Sequence, residues 1–196
     1  MRKDIKINIM PHKKITIKLA CAMLKADDDL KFAVKFATEP PPADTSVFYK
    51  QCIEFIKVYE KHPKDLGAII RVVRQNDEID VEELLIQRPA LRFSSLELDL
   101  LGSRHKLKPV LETGAKLMPV DKLYFVNFFK QHFQPYTDIS LKDWYSLKKR
   151  YVCITTIQRQ ANVSVPLSQY YKHEGSIKES DWVKLRPIFK KYGLTI

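Results

Sequence analysis

The chain has 196 residues, with 34 basic against 23 acidic side chains, 5 Gly, 11 Pro and 3 Cys. That length suits one domain, or two small lobes, and 45% apolar residues supply a core and argue against disorder. A net charge of +11 with 10 Phe, 9 Tyr and 2 Trp points to polyanionic partners, while no run of about 18 apolar residues offers a membrane span.

In chain order, Ile5, Ile7 and Ile9 alternate with Lys6 and Asn8, Ile15 to Cys21 alternate with Thr16, Lys18 and Ala20, and Leu30 to Phe36 alternate with Lys31, Ala33 and Lys35. Period two predicts half-buried strands, with Pro11-His12 and Asp27-Asp28-Asp29 as turns. Residues 1–38 therefore read as an antiparallel β-meander with a basic face of Lys6, Lys18, Lys31 and Lys35. Residues 39–44, with Pro40 to Pro42, read as a stiff connector.

Beyond Asp44 the period becomes about 3.6. Phe48, Cys52, Phe55, Ile56 and Tyr59 line one helix that stops before His62-Pro63, and Leu66, Ile69, Ile70 and Val73 line a second, with Asp65 as its cap. Asp80 and Glu83 resemble a capping box, which accounts for the acidic cluster of Asp77, Glu78, Asp80, Glu82 and Glu83. Residues 95–118 read as helical pieces broken at Gly102, Pro109 and Gly114. Asp121 to Phe133 is apolar nearly all round and reads as the central buried helix, with His132 inside it.

A helix over 140–158 would turn Trp144, Leu147, Tyr151 and Ile154 inward. Lys142, Tyr145 and Lys149 would face outward, flanked by Lys148 and Arg150 and extended by Arg159. Ser180 or Asp181 caps the last helix, Pro187 kinks it and Gly193 stops it. The expected fold is α+β, mostly α: a small meander followed by a body of six to eight helices over 45–196.

Charge follows the same segmentation. Residues 1–37 carry nine basic against four acidic groups, 38–100 eight against twelve, and 101–196 seventeen against seven. The flanks can share one positive surface or pair with the acidic middle of a neighbour. No phosphate loop, dinucleotide loop, zinc-binding H-E-x-x-H or nucleophile elbow occurs, so neither a cofactor nor a metal is expected. Three widely spaced cysteines without C-x-x-C suggest buried thiols in a reducing compartment, cytoplasm or nucleus. The opening residues show no apolar signal-peptide core. Glu112, Thr113 and Lys116 beside the acidic cluster are the best enzyme candidates, as a metal-dependent nuclease.

The order of strands, proline connector and helical body, with the ending Phe189-Lys-Lys-Tyr-Gly-Leu-Thr-Ile196, resembles nucleocapsid proteins of the orthobunyavirus type. The resemblance implies a non-enzymatic, two-lobed fold holding single-stranded RNA in a basic cleft, with Phe189 and Tyr192 packed on an adjacent subunit. The expected function is sequence-tolerant binding of single-stranded nucleic acid by a self-associating protein. Lys18, Lys31 and Lys35 would form one wall of the site and Lys142, Lys148, Lys149 and Arg150 the other, with Tyr145 stacking on bases. A structural or adaptor protein, using aromatic helices against protein partners and its basic surface against acidic partners or lipid, is the alternative, and a small metal-dependent nuclease the third.

Overall fold

A computed structural model describes residues 14–164, 167 and 177–195, and the chain divides after Gln75 into two compact units. The expected first strand, Ile5 to Ile9, lies outside the described residues. The other two expected strands are helices, and among the described residues there is no sheet, only two isolated bridges. The fold is helical where a meander was expected.

The reason lies in the caps and in which apolar residues are buried. Thr16 Oγ1 accepts the Leu19 N–H at 3.2 Å and opens α1, Ile17–Ala26. Asp27 is extended: its N–H donates to the Met23 carbonyl, ending α1, and its carboxylate accepts the Leu30 N–H at 3.0 Å, opening α2, Asp28–Thr38. The acidic triplet is thus an N-cap with two carboxylates in the first turn, where the helix dipole favours them. The buried residues are Ala20, Cys21 and Leu24 on α1 and Leu30, Ala33 and Val34 on α2, which is helical spacing. The alternation divides between faces, leaving Leu19 exposed and Phe32 and Phe36 half-buried.

Residues 39–43 carry the chain from α2 to Asp44, whose carboxylate accepts the Ser46 and Val47 N–H groups and starts α3, Thr45–Lys61. α2 packs on both α1 and α3. α3 ends at His62 as expected, and His62 Nε2 and Lys61 Nζ reach Asp27 and Asp29 at 3.5 and 3.6 Å. α4, Pro63–Asp77, starts at its proline and not at Asp65. It buries Leu66, Ile69 and Val73, while Arg74 donates to the Ala37 carbonyl at 2.9 Å.

In the second unit, Asp80 caps α5, Val81–Ile86, accepting the Glu83 N–H at 2.9 Å. α6, Phe93–Leu96, runs into a π-helical turn, Glu97–Leu101, that stops at left-handed Gly102. α7, Leu107–Thr113, stops at left-handed Gly114. α8, Pro119–His132, buries Val120 and Leu123 to Val126 together with Phe128, the central helix the sequence foretold, although Pro119 and not Asp121 begins it.

The expected helix over 140–158 is two, α9, Leu141–Lys148, and α10, Ile154–Ala161. Between them the chain bridges to residues 90–92: Arg92 N–H donates to the Tyr151 carbonyl at 2.7 Å and Cys153 N–H to the Ala90 carbonyl at 2.8 Å. Trp144 and Ile154 are buried, but Leu147 is exposed. α11, Glu179–Lys191, packs on α10 and carries Pro187 inside it. Gly193 closes the end at φ +82°, where a Cβ would stand 2.8 Å from the Gln134 carbonyl oxygen, so no side chain fits.

Candidate nucleic-acid interface

Once residues 28–38 are a helix, Lys31-Phe32 and Lys35-Phe36 become the same dipeptide repeated one turn apart on one side of α2. Phe32 stacks toward Phe36 at 6.3 Å between ring centroids, and Phe36 meets Phe48 and Phe55 of α3 at 5.7 and 5.2 Å. Phe32, Lys35, Phe36, Glu39, the three prolines and Gln51 line a cleft of about 280 Å³. The prolines, read as a connector, form part of its wall. Lys18 lies exposed on α1, and among the described residues Lys18, Lys31 and Lys35 enter no ion pair. Phe32, Phe36 and Gln51 were not among the expected site residues. The four-residue spacing of the Lys-Phe dipeptides was their signal, invisible while the segment was read with a period of two.

The residues expected to form the other wall belong to the second unit and have divergent fates. Lys142 on α9 and Lys149 just past its end are exposed, whereas Tyr145, expected to face outward, is half-buried, and Arg159 is exposed on α10. Lys148 is only 2% exposed. It donates to the His132 carbonyl and lies over the Tyr136 and Phe133 rings at 4.7 and 5.7 Å. Burial holds its ammonium below the usual lysine range. Arg150 closes its fork on Asp99, with Nε and Nη2 at 2.7 and 2.6 Å, and Tyr151 donates to the same carboxylate at 2.9 Å. Those bonds raise the Arg150 pKa further. Both cations serve the fold instead of the cleft, because the helix ends at Lys148 and the chain turns inward there.

Phe189 and Tyr192, implied as contacts to another subunit, are buried within their own chain. Phe189 meets Trp144 edge to face at 5.3 Å, and the Tyr192 hydroxyl accepts the Ala90 N–H at 2.9 Å.

Lysines face three of the five carboxylates of the acidic cluster. Lys122 lies 3.2 Å from Asp77 and 3.8 Å from Glu82, and Lys116 lies 3.8 Å from Asp80 and 4.0 Å from Glu82. Buried Glu82 also accepts the Leu117 N–H at 2.7 Å, and Glu112 pairs with Lys108 instead of joining the group. Two ammonium groups occupy the place a cation would need. The Cys21 thiol is pushed up to about 12, chiefly by burial. Burial also pushes the Cys153 thiol up, but hydrogen bonds from Thr155 and Thr156 and the nearby Arg92 outweigh it and bring it to about 7. Among the described residues, no helix is long and apolar enough to cross a membrane.

No protein-family model, no curated protein and no solved structure matches this chain. The resemblance to nucleocapsid proteins therefore stands on the sequence features alone, and helices occupy the described part of the segment it read as strands.

Proposed function

We propose that this is a non-enzymatic protein that binds single-stranded nucleic acid, RNA first, without strong sequence preference, inside the cell. The observation that supports this reading is α2, where Lys31 and Lys35, which enter no ion pair among the described residues, adjoin Phe32 and Phe36, and where Phe32, Lys35 and Phe36 line a cleft of about 280 Å³ that Glu39 shares. Aromatic faces stack on any base and ammonium groups neutralise phosphates, which is how sequence-tolerant single-strand binders work. Lys18 on α1 adds to the field that attracts the strand, and Lys142, Lys149 and Arg159 are exposed on the second unit. Lys116 and Lys122 stand against Asp77, Asp80 and Glu82, the carboxylates that a metal-dependent nuclease would need free.

Fluorescence anisotropy with a labelled oligouridylate tests the proposal. Contacts to three phosphates give a log–log salt slope of about −2, so a fourfold rise in salt weakens binding on the order of twentyfold. No binding at low salt, or binding indifferent to salt, overturns it.

A further inference from the structure

α3 has a second apolar face that none of the described residues covers. Its aromatic edge, Phe48 and Phe55, turns to Phe36 of α2, yet Val58 is its one buried residue among those described. Tyr49, Ile53, Ile56 and Tyr59 are exposed at 68%, 41%, 54% and 49%. With Cys52 they fall within an arc of about 120° at 100° per residue. Positions 49, 52, 56 and 59 repeat with the three-and-four spacing of a coiled-coil seam, and Ile53 broadens it.

We propose that this seam pairs with the α3 of a second copy of the chain, antiparallel, about a two-fold axis passing near Phe55. The spacing is self-complementary in that sense. Around residue 55 the side chains at 49, 52, 53, 56 and 59 of one helix fall at heights between those of the other, so the knobs interleave without colliding. By the same rotation Glu60 falls inside this arc, and the antiparallel arrangement sets Lys50 of each copy level with Glu60 of the other, giving two opposite-charge pairs. A parallel pairing would stack Tyr49 on Tyr49 and Lys50 beside Lys50. With about 150–250 Å² to a large aromatic side chain, the exposed apolar part of this face is on the order of 500 Å² per copy. Two copies together thus reach the roughly 1,000 Å² that a specific interface needs. The expected self-association through Phe189 and Tyr192 is replaced by contact through unit 1, and it does not depend on nucleic acid.

The full chain, freed of nucleic acid by nuclease, is measured by size exclusion with light scattering at micromolar concentrations and moderate salt. The expected mass is twice 22.9 kDa. A monomer at every concentration overturns the proposal. The double variant Tyr49→Glu/Ile56→Glu changes two exposed side chains, so it keeps the parent circular dichroism and becomes monomeric. A dimer that survives it lies elsewhere and also overturns the proposal. Lys50→Glu weakens dimerisation about tenfold through the two pairs, and Lys50→Glu/Glu60→Lys restores it. Indifference to the charge change overturns the antiparallel arrangement.

Discussion

His132 illustrates how a single side chain reports the packing around it. Its ring stacks on Phe128 at 4.6 Å and meets Tyr151 edge-on at 5.4 Å, while its own carbonyl receives the Lys148 ammonium. Burial, and then the Lys148 charge, hold its pKa below the ordinary 6.5. The unfolded chain therefore binds a proton here at a pH where the folded chain resists it. Stability attributable to this site is fully present above about pH 6.5 and is lost as pH falls toward the lowered folded value. Urea midpoints between pH 7 and pH 5 should fall for the parent and fall less for His132→Phe, which keeps an aromatic ring against Phe128 and carries no titrating group. Equal slopes for both proteins would show that another group controls the acid limb.

At the scale of elements, Asp27 decides the architecture of the first unit. It ends α1 through its N–H, begins α2 through its carboxylate and faces His62 at the end of α3. The Leu30 N–H keeps its carboxyl below the usual aspartate range. Asp27→Ala frees the α2 N-terminus and loses that pairing, so the thermal midpoint should drop by a few degrees, whereas neighbouring Asp28→Ala should leave it nearly unchanged. Two equal variants would deny Asp27 its cap role. This residue also shows what was legible beforehand. Residues with one strong local signal are legible in the sequence: Asp80 as a cap, His62-Pro63 as a stop, and the apolar stretch from Leu123 to Phe128 as a buried helix. In α1 and α2 two periods coincide. Ile, Leu and Phe at every second position also supply residues at three-and-four spacing, and the small Ala20 and Ala33 that complete the helical face carry little hydrophobic weight. The caps, Thr16 and Asp27, held the deciding information. The break after Lys148 left no such mark, because it is fixed by hydrogen bonds to residues some 60 positions earlier.

For the molecule as a whole, net charge conceals how the cations are used. Residues 1–75 carry fifteen basic against nine acidic groups and residues 76–196 nineteen against fourteen, so the two units look alike on paper. In the second, Lys106, Lys116, Lys122, Arg150 and Arg186 face carboxylates and Lys148 is buried. In the first, Lys18 is exposed and Lys31 and Lys35 are half-buried, and among the described residues none of the three enters an ion pair. Removing one positive charge should therefore have opposite consequences in the two places. Lys31→Ala/Lys35→Ala takes away two phosphate contacts, so it should weaken oligouridylate binding and flatten the log–log salt slope by about 1.4. Its unfolding midpoint should stay close to that of the parent, since neither side chain holds the fold. Arg150→Ala should do the reverse, lowering the unfolding midpoint by opening Asp99 while leaving the salt slope as it was. A salt slope that responds to Arg150 and not to Lys31 and Lys35 would move the binding face to the second unit.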